Sequence, residues 1–296
     1  MIKKKIILFG AGGMAGHVAF LSLKQGGAFD IIPVVFRHAL SDEHIVLDVR
    51  NQEAVAQFIR SSRADYIVNC VGVLVQGSAN HPDNAILLNS YFPHLLARLA
   101  DDIQAKLIHI STDCVFSGKK GSYAENDFKD ADDTYGRSKA LGEIYSVPHV
   151  TLRTSIIGPE IKNDGEGLFH WFMHQQGQIK GYTEAYWGGV TTIELARAIR
   201  AAIDHHMTGL CHVTNGEKIS KYHLLQLFRE VWEREDIDVS AYEGKKVDKS
   251  LQVSSRFDFN IPGYQDMLKE QKKWMDDYRD IYETIYPIWK KSKVVK

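Results

Sequence analysis

One stretch constrains this chain more than any other: Phe9-Gly10-Ala11-Gly12-Gly13-Met14-Ala15-Gly16-His17, set directly behind the apolar run Ile6-Ile7-Leu8-Phe9. An apolar strand that breaks into glycines and reopens with helical spacing (Met14, Val18, Leu21) predicts a βα turn of the kind that receives nucleotides. Gly10, Gly13 and Gly16 recur every three residues, G-x-x-G-x-x-G rather than G-x-G-x-x-G, and Gly12 adds one more residue without a Cβ. Such a turn needs no side-chain chemistry. Its backbone must approach a pyrophosphate closely, and the helix behind it must aim free N–H groups at the charge. A plain tight turn is the competing reading.

Strand and helix signals alternate along the next 140 or so residues, the pattern of an α/β fold built on a doubly wound parallel sheet. Residues 31–36 read as a second strand, in which Pro33 predicts incomplete pairing. The strand runs into Arg37-His38, where a dinucleotide fold meets the adenosine ribose. An arginine there suits a 2′-phosphate, so Arg37 points to NADP(H), with His38 adding attraction when protonated. A solvated loop arginine is the other reading. Residues 45–49 form a short strand whose Asp48 and Val49 lie where a cofactor adenine would be met; an ordinary turn acid fits equally well. Residues 51–59 read as a helix. Residues 66–72 form a buried strand ending in Cys70, Val71 and Gly72, where a small residue lets a cofactor lie against the backbone. A helix follows over residues 83–100, with Asn89 inside it as a hydrogen-bonded core residue. The strand at 106–110 runs into Ser111-Thr112-Asp113, and hydroxyls at the carboxyl end of a parallel strand sit where such sheets bind ligands.

Beyond Ile157-Gly158-Pro159 the rhythm loosens. Helices are expected at 168–175, 193–203, 221–232 and from 266 onwards, a strand at 210–213, and a glycine- and aromatic-rich loop at 182–192. The division that results is a dinucleotide-binding part over 1–157 and a mainly substrate-binding lobe over 158–296. Residues 193–203 and 210–213 return to the first part. The 36 basic and 37 acidic residues leave a net charge of −1, which argues against a general nucleic-acid surface. No apolar run approaches membrane-spanning length, and Met1-Ile2-Lys3-Lys4-Lys5 leads into a strand rather than a signal peptide. Cys70, Cys114 and Cys211 are widely spaced without a C-x-x-C, as in free thiols of a reducing cytoplasm.

Chemistry concentrates in Thr112, Tyr135 and Lys139. Tyr135 and Lys139 stand at i and i+4 on an expected helix, so they share a face. A ketone under reduction takes a hydride at carbon and a proton at oxygen. A phenol supplies that proton, but its unperturbed pKa of ~10 makes it hard to cycle near neutrality. A neighbouring ammonium is expected to lower that value, and the Thr112 hydroxyl to hold the carbonyl oxygen. A solvated helix face explains the spacing alone. The glycine turn, the strand-end hydroxyls and the helix, in that order, favour the enzyme.

Together these stretches resemble the extended short-chain dehydrogenase/reductase superfamily, and within it the dTDP-4-dehydrorhamnose reductase branch. The resemblance rests on the glycine turn, Ser111-Thr112-Asp113-x-Val115-Phe116-Ser117-Gly118, Tyr135-Gly136-x-Ser138-Lys139, Leu152-Arg153-Thr154-Ser155 and Gly209-Leu210-x-His212-Val213. It implies a Rossmann domain with a smaller C-terminal lobe, NADPH or NADH as reductant, and a nucleotide-linked 4-keto-6-deoxy sugar as substrate. It makes Tyr135 the proton donor, Lys139 its partner and a cofactor ribose contact, and Thr112 the carbonyl-side hydroxyl. Cofactor contacts fall on Gly10, Gly12, Gly13, Met14, Gly16, Arg37, Asp48, Val49, Cys70, Val71 and Gly72. Substrate contacts fall on Thr112, Asp113, Val115, Tyr135, Ile156 and Trp187, with Arg256 as a diphosphate clamp. Two departures stand out: Cys114 replaces a usual aromatic, and Ile156-Ile157-Gly158 replaces a Trp-Val-Tyr run whose tryptophan lies near the sugar. Related readings are an epimerase or dehydratase that retains NAD, or a non-catalytic NADP-binding subunit. No metal is expected: His170 and His174, at i and i+4, have no third ligand beside them. A homodimer is compatible with the aromatic group Tyr182, Tyr186 and Trp187, which alternatively stacks on a base or sugar or belongs to the core.

Overall fold

The computed structural model describes residues 3–37, 39, 41–286 and 288; His38 lies outside the described residues. Seven strands, β1 (Lys4–Phe9), β2 (Phe29–Val35), β3 (Ile45–Val46), β4 (Tyr66–Asn69), β5 (Lys106–Thr112), β6 (Val150–Thr154) and β7 (Gly209–His212), form one sheet. Its order is β7-β6-β5-β4-β1-β2-β3 and every pairing is parallel. Strands 1 to 3 run outwards one way and strands 4 to 7 the other. The order therefore reverses between β1 and β4, and the crevice beyond their carboxyl ends is where a Rossmann-type sheet binds ligands.

Strand alternation divides the core between the two faces. Ile6 and Leu8 pack into one cluster with Val18 of α1 (Met14–Lys24), while Ile7 and Phe9 pack into another with Val55 and Ile59 of α2 (Gln52–Ser62). Leu95, Leu96 and Leu99 of α3 (Phe92–Asp102) join the second cluster. The first continues into α5 (Thr192–Asp204), α6 (Lys221–Val231) and α7 (Tyr264–Asp277) through Ile199, Phe228 and Met267. Between α3 and α5 lies the short helix α4 (Thr134–Leu141).

Two expectations change, and the incomplete pairing expected at Pro33 holds on one side of β2 only. Pro33 lies inside β2, opposite Leu8. The Val35 carbonyl accepts from Leu47 N, so residues 33 and 35 face β3, and β3 begins opposite Val34; the missing Pro33 N–H thus points beyond the end of the ladder. A short helix, Val75–Asn80, precedes the region read as one helix over 83–100, which is itself a series: Pro82–Ala85, a π-turn at Ile86–Tyr91, then α3. Pro93 has no N–H to give the Asn89 carbonyl, and Gly142 packs so closely on that oxygen that a Cβ there would lie 1.9 Å from it. The loop read at 182–192 instead contributes short strands. Ala185–Trp187 pairs with Ile219–Ser220 and Val247–Asp248, Val190–Thr191 pairs with Ile156–Ile157, and Gly177–Tyr182, just before, pairs with Ile237–Tyr242.

Candidate active site

The glycines of the first turn do different jobs. Gly10 has φ +83°, and a Cβ on it would come within 3.0 Å of the Cys70 backbone. A Cβ on Gly16 would lie 2.0 Å from the Gly10 carbonyl. These two close the turn against β4 and bring α1 down upon it. Gly13 is unlike them. The nearest atom to a Cβ there is the Gly10 carbonyl at 3.4 Å, an ordinary contact, so the protein itself does not require glycine at this position. Gly13 caps α1 without a side-chain hydrogen bond, and the first turn carries no acid. Room above the backbone and an uncapped helix start fit a dinucleotide pyrophosphate. Met14 reaches from this turn towards the loop at Gly167, and Cys70, Val71 and Gly72 leave β4 beside it. Burial pushes the Cys70 thiol up to about 12, so it stays protonated.

At the end of β2, Arg37 and Phe36 are exposed. The Arg37 guanidinium lies 4.5 Å from the Phe36 ring centre, and Arg50 lies 5.0 Å from the same ring. Asp48 is engaged: Arg50 donates to both its oxygens at 2.7–3.0 Å and holds the carboxyl below its ordinary range. Sequence reading missed Arg50, although the Asp48-x-Arg50 spacing is the signal that would have found it.

The turn after β5 and the start of α4 meet closely because Gly136 has no side chain. A Cβ there would lie 2.2 Å from the Cys114 carbonyl. Asp133 caps α4 by accepting from Gly136 N at 2.7 Å. This contact brings the Tyr135 phenol beside the Thr112 hydroxyl, close enough for the two to interact; Thr112 donates to Asp113 Oδ1 at 3.1 Å and accepts from Cys114 N at 3.1 Å. Lys139, buried on the same helix, donates to the Ile110 carbonyl at 2.7 Å. Asn89 braces the group from behind. Its amide bonds Val73 N and O and donates to Ser138 Oγ at 3.1 Å, tying the β4 turn to α4. The lysine does not lower the tyrosine as the spacing suggests. Burial drives the phenol well above its ordinary value, Cys114 adds to this, and Thr112 only partly opposes it. The Lys139 ammonium is itself lowered to about 8 by burial. A protonated phenol is the state a reduction needs.

Asp113 is buried, and burial raises its pKa against the pull of Lys249 and of hydrogen bonds from Thr112, Cys114 and Ser155. Ser155 accepts from the Trp187 indole at 3.0 Å. Ile156 is half-buried in its two-residue strand. Val115 and Arg256 do not reach this group through their side chains, and Trp187 touches it only through Ser155. Val115 is fully buried with Phe116, Tyr123 and Leu251. The Trp187 ring is buried and lies 5.5 Å from that of Tyr264. Arg256 is at the wrong end of the sheet: its guanidinium crowds Gly209, the first residue of β7, in register with the start of β6 at Val150. Thr112 pairs with Thr154, at the opposite end of β6. His170 and His174 bond Tyr286 and the Ile285 carbonyl, and so tie down the C-terminal segment.

A family model described as RmlD substrate binding domain matches residues 4–284. The dTDP-4-dehydrorhamnose reductase of Escherichia coli (strain K12) is 32% identical over 223 residues, covering 70% of this chain and 71% of the relative. The spore coat polysaccharide biosynthesis protein SpsK of Bacillus subtilis (strain 168) is 28% identical over 225 residues, covering 74% and 76%. Among solved structures, a dTDP-4-dehydrorhamnose reductase from Bacillus anthracis str. Ames in complex with NADP has the same fold, with a TM-score of 0.78 at 21% identity over 92% of this chain and all of that one. With a match that runs from β1 to beyond α7, the chain belongs to the RmlD substrate binding domain family.

Proposed function

We propose that this chain is an NADPH-dependent reductase of a nucleotide-linked 4-keto-6-deoxy sugar, serving polysaccharide or glycan synthesis. One observation carries the reading: the Tyr135 phenol meets the Thr112 hydroxyl at the carboxyl end of β5, on the same sheet edge as the glycine turn. The residues over 1–157 hold the dinucleotide, with Gly13 and the start of α1 at its pyrophosphate, Arg37 at the 2′-phosphate and Lys139 at a ribose. Bound there, reduced nicotinamide supplies a hydride to the carbonyl carbon. Thr112 holds the carbonyl oxygen by a hydrogen bond. Tyr135 gives that oxygen its phenolic proton, and burial keeps the phenol charged with that proton between turnovers. Asp113, Ser155 and Ile156 border the sugar. Residues 158–296 supply most of the substrate lobe.

Among the described residues no helix is long and apolar enough to cross a membrane. The three free thiols suit a reducing cytoplasm. Phe128, Leu141 and Tyr145 form an exposed apolar patch beside α4, which supports a homodimer. The test of function is loss of NADPH absorbance with dTDP-, UDP- and GDP-linked 4-keto-6-deoxy sugars. Turnover of at least one is expected; silence across all three, with NADPH bound, removes the reductase reading.

A further inference from the structure

The register of the small three-stranded sheet places two lysines on either side of one strand. Ser220 and Asp248 both pair with Tyr186, so Lys221 and Lys249, each one residue further on, flank the strand Ala185–Trp187. Lys249 packs along the turn after β5: its Cγ lies 3.1 Å from where a Gly118 Cβ would be, and Asp248 N donates to the Gly118 carbonyl at 2.8 Å. Its ammonium reaches the Cys114 side chain. Lys221 faces the same point, within electrostatic reach of Asp113, Cys114, Lys245 and Lys249. The two side chains therefore converge on Asp113 and Cys114, the residues that follow Thr112.

For Lys221 this arrangement is costly without a ligand, whereas Cys114, Asp113 and Asp133 hold the Lys249 pKa above its ordinary value although burial opposes this. Lys221 is the first residue of α6, where the helix dipole opposes a cation. Burial pushes its pKa down, and the charge of Lys245 pushes it further. Neighbouring lysines are neutralised: Lys218 pairs with Asp248 at 2.5 Å and Lys246 with Glu184 at 3.6 Å. Among the described residues, Lys221, Lys245 and Lys249 have no carboxylate within ion-pair distance. Asp113 and Asp133 act on Lys249, and Asp113 on Lys221, from beyond that distance.

We propose that Lys221 and Lys249, with Lys245 at the rim, seat the diphosphate of the substrate, in place of the clamp expected of Arg256. The inference rests on the nucleotide-sugar reading above. Its geometry follows from the sugar: with C4 held at Thr112 and Tyr135, C1 and its diphosphate lie across the pyranose ring, one ring-width further out. Two ammonium groups then face the phosphate oxygens, beside the start of α6, which Ser220 caps by accepting from His223 N at 3.2 Å.

Calorimetric titration of the full chain with UDP, dTDP, inorganic pyrophosphate, uridine and NADPH tests this. A lost charge-assisted contact weakens binding by roughly 10- to 100-fold. Lys221→Met and Lys249→Met should each lose at least tenfold affinity for the nucleoside diphosphate that wild type binds, with NADPH binding unchanged. Lys221→Arg and Lys249→Arg should retain most of it, which separates charge from folding. Unchanged diphosphate affinity in the Met variants overturns the proposal, as does an equal loss for uridine, or a wild type that binds neither diphosphate nor pyrophosphate. A wild type that binds UDP or dTDP through these lysines yet reduces no 4-keto sugar leaves the seat standing and removes only the reductase reading.

Discussion

Tyr135→Phe should lose turnover by at least ~10²-fold, the typical contribution of a positioned general acid. The ring keeps its packing against the turn after β5, while the phenolic proton beside Thr112 is gone. NADPH binding, seen as a thermal shift, should stay near wild type, because the glycine turn is untouched. Loss of both together would mean that the phenol holds the fold rather than the reaction. Turnover near wild type would mean that protonation comes from elsewhere.

The second large effect is on stability. Arg153, fully buried, donates to both oxygens of Glu143 at 2.7 Å, and Ser111 Oγ donates to the same carboxylate at 2.8 Å. The pair sits beneath the strand end that carries Thr112, since Ser111 is in register with Arg153. Glu143→Leu leaves a buried guanidinium without its anion and should cost about 3–5 kcal/mol in urea unfolding. Adding Arg153→Met removes the stranded charge, so the double variant should be more stable than the single one. A single variant within ~1 kcal/mol of wild type would show that the pair carries no such load.

Acid should act on the same network. His212 accepts from Arg153 Nη1 at 2.9 Å through Nε2, and its Nδ1 donates to the Gln252 carbonyl at 3.0 Å. Burial, and then Arg153, lower its pKa to about 4. The unfolded chain therefore takes up this proton first. Stability is complete above the ordinary histidine value and falls by about 1.4 kcal/mol per pH unit as pH drops towards 4. Glu143, held below its ordinary value although burial opposes this, loses its contribution in the same direction at lower pH.

What the chain declares locally is what could be read from it. The turn at Gly10 and Gly16 and the pair Tyr135 and Lys139 are short-range patterns, and each follows from spacing along one strand or helix. Asn89 was legible as a buried polar residue in an apolar stretch, and it is one. The misreadings are non-local. Arg256 follows β7, and nothing in Ser254-Ser255-Arg256 says which end of the sheet it meets. The strands within 182–192 depend on partners 30 to 60 residues away. The depressed tyrosine pKa assumed that spacing alone sets the ammonium beside the phenol, whereas the Ile110 carbonyl holds it and burial decides the phenol.

The most direct test follows the hydride itself. NADPH deuterated at both C4 positions is incubated with a nucleotide-linked 4-keto-6-deoxy sugar, and the product is weighed by mass spectrometry. The account predicts one deuterium on C4 of the sugar for each NADPH oxidised, with the hydroxyl proton drawn from solvent through Tyr135. An unlabelled sugar product, or conversion of the sugar without net oxidation of NADPH, would contradict it.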